Sequence, residues 1–535
     1  MTLRVRCSVP FQRLNMPPML AGFDAHNPSL GRFLPRRPRD VGELLESARA
    51  RIDGGPHDAA RAQMAESLLR YAATAGAPAA VLEAAQALAE PGTMAIVTGQ
   101  QPGLFGGPLY VWHKVATALR LAREVRAHPG APRVVVVFWN HTDDHDWGEA
   151  NHTYLVNAAL DLQRIRVRTG TTGCALSRMH VGDDVMGVIE EARDLLPATA
   201  ETERELDRLR PRSGDATLGT LLSRLLFDSF GDEGLLVLDP AALSSEQRAP
   251  LLEWHTRAAD LRVAMKTAAA ELAARGFDVA IDPEGAFMFR IEPDGKRRAA
   301  PDGEVCPSGD TPSPGVLLRS VWQDAILPTL AYVPGPGEVA YLALLGSFYE
   351  MLGVPRPPLV PRASITHVAP RLFEHLERWQ LALPDLEPGA KAVEARIALQ
   401  EGVDEAEAEA EGPEQQLVAL AEDIRVQLRA LEPSVAEVDQ RLIHQLVRIS
   451  SRTTSELGRF VRKLENQRRN QAGRYRQHAR RLCAELMPRG RMQERVLPAL
   501  PFLVREGEGF ARSLIDVADP FAREHLLVGP CEPSA

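Results

Sequence analysis

Cysteine is scarce in this chain of 535 residues: Cys7, Cys174, Cys306, Cys483 and Cys531 are scattered, odd in number and form no C-x-x-C pair. That excludes a disulfide framework and a cysteine-based zinc site, and it suits a reducing compartment. Long apolar runs are missing too. No stretch approaches the roughly 20 residues a membrane span needs, and the opening MTLRVRCSVPFQRLNM lacks the apolar segment of a signal peptide. The expectation is a cytoplasmic protein with no membrane partner. Nor does one sign of charge dominate: a net charge of -9 gives no general reason to expect a polyanion, so no nucleic acid is expected as partner. With 45% hydrophobic and 25% charged residues, what remains is an ordinary globular composition on a chain long enough for more than one domain.

Helical spacing runs through Val41 to Arg51 and Ala59 to Leu88, and then Pro91-Gly92 breaks it. TMAIVTG reads as a short buried strand, a glycine-rich loop follows, and Tyr110 to Arg126 returns to helical spacing. RVVVVFWN is then a continuous β-branched run, as expected of a parallel strand covered on both faces. Together these make a βαβ unit. RIRVRT (Arg164 to Thr169), LLVLDP (Leu235 to Pro240) and VLLRSV (Val316 to Val321) are further strand candidates, separated by helical stretches such as Asp184 to Leu196 and Leu218 to Phe230. The predicted fold class is α/β with a Rossmann-like parallel-sheet core over 1–388, carrying a helical insertion at about 171–233 and a small β-hairpin insertion at about 277–307.

After an acidic, loop-like DEAEAEAEGPEQQ, apolar residues recur at threes and fours from Leu417 through Leu431, and again from Val435 to Leu464. That heptad seam predicts an α-helical coiled-coil domain over 389–490, with 491–535 returning to the core. Its later part is strongly basic, and reads as a solvated face or as a phosphate-binding surface.

Three stretches carry chemistry. VTGQQPGLFGGPLYVWHK (Val97 to Lys114) matches neither the G-x-x-x-x-G-K-[ST] nor the G-x-G-x-x-G phosphate loop. It leaves the end of a parallel strand and enters a helix, where free N–H groups favour an anion. Gly103, Gly106 and Gly107 would let the backbone approach it. His113 and Lys114 fall in the opening turns, and Gln100 and Gln101 are side-chain amides that need partners. FWNHTDDHDWGEANH (Phe138 to His152) crowds His141, Asp143, Asp144, His145, Asp146 and His152 where an open α/β sheet offers its ligand crevice. Such close carboxylates need a cationic neighbour: a divalent metal, a substrate ammonium or the basic residues of the first loop. The third stretch, Leu317 to Arg362, brings Gln323, Asp324, Tyr332 and Glu338 as candidates for an amine or hydroxyls, with Arg319 and Arg362 as carboxylate partners.

TGQQPGLFGGPLYVWHK, DDHDWGEANH, LLRSVWQDAILPTLAYVPGPGEVAY and the late RMQERVLPALPFL together resemble the bacillithiol biosynthesis cysteine-adding (BshC) family over nearly the whole chain. Asp143 stands where that family's pattern has Glu. The resemblance implies a Rossmann-like core, a coiled coil that forms a homodimer, and a ligase that adds cysteine to the amino group of glucosaminyl malate, in association with an adenine nucleotide (ATP or ADP). In that reading the loop glycines, His113 and Lys114 hold an anion, while Asp144, His145 and Asp146 bind or deprotonate the amine. Gln100, Gln101, Tyr110, Asp143, Asn151, Gln323, Asp324, Tyr332, Glu338 and Arg362 bind substrate, and no metal is expected. The alternatives are a metal-dependent hydrolase built on the Asp/His cluster and a non-enzymatic RNA-binding or scaffold protein.

Overall fold

The computed structural model describes residues 2–53, 58–212, 216–279, 281–282, 284–401 and 412–530. The acidic run at 404–411 and Cys531 lie outside them. The chain divides into two compact units, Met1–Pro370 with Arg491–Ala535, and Arg371–Gly490. The division thus falls after Pro370 rather than at 388, because the turn Leu383–Leu386 packs on the helices Ala390–Gln400 and Leu442–Leu486 of the second unit.

The strands in chain order are β1 (Leu3–Pro10), β2 (Met94–Gln100), β3 (Val134–Asn140), β4 (His152–Val156), β5 (Leu162–Arg166), β6 (Leu235–Leu238), β7 (Met288–Ile291), β8 (Arg297–Ala300), β9 (Thr311–Pro314), β10 (Thr329–Tyr332), β11 (Ile365–His367) and β12 (Glu524–Pro530). The core is a four-stranded parallel sheet in the order β10-β2-β3-β6, with Val97 paired to Val137 and Tyr332 to Val97. β3 is buried throughout, as its unbroken VVVVFWN run predicts, and the helix Tyr110–Ala127 that links β2 to β3 is buried nearly all round. From β2 the chain builds outward through β3 to β6, and later adds β10 on the other side of β2. The carboxyl ends of β2 and β10 therefore flank the topological switch point of the sheet, where α/β folds leave a ligand crevice.

Two strand expectations are corrected. VLLRSV is not a strand: Val316–Ile326 is a helix whose Leu317, Leu318, Val321 and Trp322 form one buried stripe. The strand that completes the sheet is β10, four residues too short to show a period. Half of RIRVRT, Arg164 to Arg166, falls in β5, which pairs antiparallel with β4 outside the parallel sheet. The β insertion is a three-stranded antiparallel sheet, β8-β7-β9, reaching Pro314 rather than a hairpin ending at 307. The helical insertion contains Gly182–Leu195, Ala200–Arg208 and Leu218–Phe230.

The C-terminal segment of the first unit supplies β12, which lies between β1 and β11. It also reaches the glycine-rich loop, where Leu109 N–H donates to Leu497 C=O at 2.8 Å. The second unit is helical: Pro413–Ala430 and Ala390–Gln400 pack along Leu442–Leu486, whose 45 residues extend roughly 70 Å. Its predicted seam is only half-buried, and Val438, Ile449 and Phe460 are exposed. No helix among the described residues is long and apolar enough to cross a membrane.

Candidate active site

A cavity of about 270 Å³ opens at the switch point, and all three predicted stretches contribute to it. Gln100 and Gln101 come from the end of β2, Tyr110 and Lys114 from the following helix, and His141 and Asp144 from the loop after β3. Arg319 comes from the helix Val316–Ile326, Gly335 to Glu338 and Tyr341 follow β10, and Arg362 and Arg495 complete the wall.

Lys114 is 1% exposed, and its ammonium donates to Gly99 C=O at 2.7 Å and Gln100 Oε1 at 2.9 Å while ion-pairing with Glu338. Burial pulls its pKa below the ordinary lysine value, against the opposing charge of Glu338. The Glu338 carboxylate also accepts from Tyr332 Oη at 2.8 Å, from Gly335 N–H at 2.9 Å and from Tyr341 Oη at 3.4 Å. Tyr332 thus acts behind the wall, by fixing Glu338.

Asp144 lies between two guanidiniums, Arg319 at 3.3 Å on Oδ2 and Arg297 at 3.4 Å on Oδ1. Burial raises its carboxyl, but hydrogen bonding from His145 and the charges of Arg319 and Arg297 outweigh that and hold it well below the ordinary aspartate range. Asp144 is therefore an ionised group suited to binding an ammonium, and a poor proton acceptor. Each guanidinium also donates to a histidine: Arg319 to His141 Nδ1 and Arg297 to His145 Nδ1, both at 2.9 Å.

Arg362 is 4% exposed and held by a bidentate pair with Glu494 at 2.6 and 2.9 Å. Glu494 also accepts from Ser364 Oγ, the Ile365 N–H and His113 Nδ1, so one buried carboxylate fixes the arginine from behind. Arg495 makes no side-chain hydrogen bond or ion pair among the described residues. With Lys114, Arg319, Arg362 and Arg495 against Asp144 and Glu338, the lining carries more positive than negative charge.

Several expected site residues lie elsewhere. Gly103, Gly106 and Gly107 do not line the cavity, and two of the loop's N–H groups are used internally: Gly106 donates to Gly103 C=O and Gly107 to Leu104 C=O. The glycines admit other protein atoms, since a Cβ at Gly106 would meet Leu225 at 2.8 Å and one at Gly103 would meet Gly107 Cα at 3.0 Å. His113 is fully buried behind the wall, with Nε2 3.4 Å from His367 Nε2, and burial keeps its pKa low and its ring neutral.

Asp143 is also buried, accepting from Ser313 Oγ at 2.9 Å. His145 packs on Phe289, away from the cavity lining. Asp146 caps the short helix Trp147–Ala150 through the Glu149 N–H, and its carbonyl accepts from Gln101. Asn151 ends that helix. Gln323 and Asp324 sit in the core, where Asp324 accepts from Tyr349 Oη and Gln323 Nε2. Sequence reasoning left out Tyr341, which stands in an apolar helix, and Glu494 and Arg495, which lie within the RMQERVLPALPFL segment but were given no role. No three His, Cys, Asp or Glu side chains converge as a metal site among the described residues.

The family described as bacillithiol biosynthesis BshC, N-terminal Rossmann-like domain, matches residues 21–305 and 303–363, and the BshC C-terminal coiled-coil domain matches 399–529. A Koribacter versatilis protein named "Putative cysteine ligase BshC" is 31% identical over 82% of this chain and 84% of its own length. Proteins of the same name from Symbiobacterium thermophilum (30% identical, 89% of this chain and 90% of the relative) and Heliobacterium modesticaldum (28%, 83% and 84%) are similarly related. A parallel sheet with its cavity at the switch point, joined to a unit built on a long helix, is the expected outline of those two domains, and the chain belongs to the bacillithiol biosynthesis BshC family.

Proposed function

We propose that this chain is a cysteine ligase of bacillithiol biosynthesis, and that the cavity at the switch point joins an activated cysteinyl carboxyl to the amino group of glucosaminyl malate. A C–N amide bond forms and the bond from the acyl carbon to its leaving group breaks; the substrate ammonium gives up two protons, one to solvent as it becomes the nucleophilic amine and one, as the amide forms, to the departing group or solvent. The observation that carries the reading is the lining itself: an ionised Asp144 with Glu338 on one hand, and Lys114, Arg319, Arg362 and Arg495 on the other. Asp144 holds the incoming ammonium, and Arg495, whose guanidinium makes no other side-chain bond among the described residues, offers its planar fork to a malyl carboxylate beside the positive charge of Arg362 and Arg319. Lys114 and Glu338 form a fixed charge pair that orients the polar groups between them. No residue of the glycine loop is assigned to a nucleotide. The functional protein is a homodimer joined through the helical unit, and it works in the cytoplasm.

Deletion of the gene in its native host, with profiling of small thiols, tests this. Glucosaminyl malate accumulates and the cysteinyl thiol disappears, and the wild-type chain restores it where Lys114→Ala and Asp144→Ala do not. A thiol pool that survives the deletion contradicts the reading.

A further inference from the structure

His141 stands at the cavity with one ring nitrogen already committed. Arg319 Nη1 lies 2.9 Å from Nδ1, and a guanidinium only donates, so Nδ1 is the acceptor and the neutral ring carries its proton on Nε2. The second guanidinium nitrogen of Arg319 donates to Asp144 Oδ2 at 3.3 Å. Arg319 therefore cannot swing away from His141 without also leaving Asp144. Nε2 has no hydrogen-bond partner among the described residues, and the ring lines the cavity. It fits there because position 99 is glycine: a Cβ on Gly99 would stand 2.9 Å from Nε2. The charged groups around the ring are Arg319, Lys114 and Asp144, with Glu338 paired to Lys114. Burial and the two cations disfavour the imidazolium, since a protonated ring would lose its bond from Arg319 and add a third positive charge.

We propose, resting on the ligase reading above, that His141 is a fixed neutral hydrogen-bond donor whose Nε2–H faces the acyl oxygen of the bound cysteinyl group, and that Arg319 is the positioning residue that sets its tautomer. Negative charge grows on that oxygen when the amine adds to the acyl carbon, and returns to the carbonyl when the leaving group departs. A donor already aimed at the oxygen stabilises the charge without reorganising. His145 carries the same bond from Arg297, but its ring does not line the cavity, so it has no such role.

Nitrogen-15 NMR of the histidine side chains in the full-length chain, with the His141 signals assigned by their loss in His141→Gln, reads the tautomer directly. The expected result is an unprotonated Nδ1 and a protonated Nε2 from pH about 5 to about 8, with the two forms mixing in Arg319→Gln. An Nδ1–H tautomer or an imidazolium at neutral pH overturns the proposal. In a ligation assay, kcat falls about 100-fold in His141→Leu with KM little changed, and is partly restored in His141→Gln, which keeps an N–H donor. Full kcat in His141→Leu also overturns it. A wild-type chain that forms no ligation product defeats the ligase reading alone, because the tautomer is measured without turnover.

Discussion

Asp144 has a guanidinium against each oxygen, and that decides both its chemistry and its titration. Its folded-state pKa is below that of the unfolded chain, so its contribution to stability is present above pH about 4 and is lost as the pH falls further, toward the folded-state value. Asp144→Asn is therefore expected to flatten the acid limb of the stability curve below pH about 4, measured by urea unfolding of both proteins from about pH 3 to about pH 7. An equally steep limb in the variant would show that the two arginines do not hold the charge. The presence of Asp144 in a polar cluster was legible in the sequence. The sorting within the cluster was not, because neighbours in an irregular loop point in different directions: Asp144 faces the cavity, Asp143 is buried and Asp146 caps a helix.

The glycine-rich loop is legible as an element, while the packing of its glycines is not. Its position between β2 and the helix Tyr110–Ala127 follows from the sequence, but its glycines serve close packing between protein segments. Gly106 has φ of 84° and lies against Leu225. Gly106→Ala is expected to cost at least about 1–2 kcal/mol from the left-handed backbone alone, seen as a lower urea midpoint. VLLRSV misleads for a related reason. Six residues rich in Val and Leu fit a buried strand and a helix stripe equally, and only the packing of Leu317, Leu318, Val321 and Trp322 separates them.

β12 brings another buried group into the core: His525, fully enclosed, whose ring contacts Ser364 Oγ and Thr366 Oγ1 and whose pKa burial lowers to about 4. The unfolded chain binds a proton there near pH 6.5 and the folded chain does not, so this stability is full above that pH and declines as the pH falls toward about 4. The loss between pH 7 and pH 5 is about 2 kcal/mol for this group. His525→Gln should narrow the stability difference between those two pH values by that amount in urea unfolding, whatever its effect at pH 7.

The cavity is assembled from segments far apart in the chain, and the sheet order explains why they meet. β2 and β10 are neighbours although most of the first unit's chain lies between them, so loops read separately along the sequence share one rim. Arg495 and Glu494 complete that wall from the C-terminal segment. The RMQERVLPALPFL segment contains both, but their roles depend on where this turn packs against β11, which the segment alone does not reveal. The helical unit leaves Val438, Ile449 and Phe460 exposed along its predicted seam. A second copy of the chain is expected there, so sedimentation equilibrium should give a dimer that Ile449→Glu with Phe460→Glu converts to a monomer.

Calorimetric titration of glucosaminyl malate into the folded chain, beside Asp144→Asn and Arg362→Met, tests whether this cavity is where the thiol precursor binds. Saturable binding at one site per chain, weakened at least about tenfold in each variant, is the predicted result, since each change removes a charged contact to the ligand. Binding of unchanged affinity in both variants, each still folded, would contradict it.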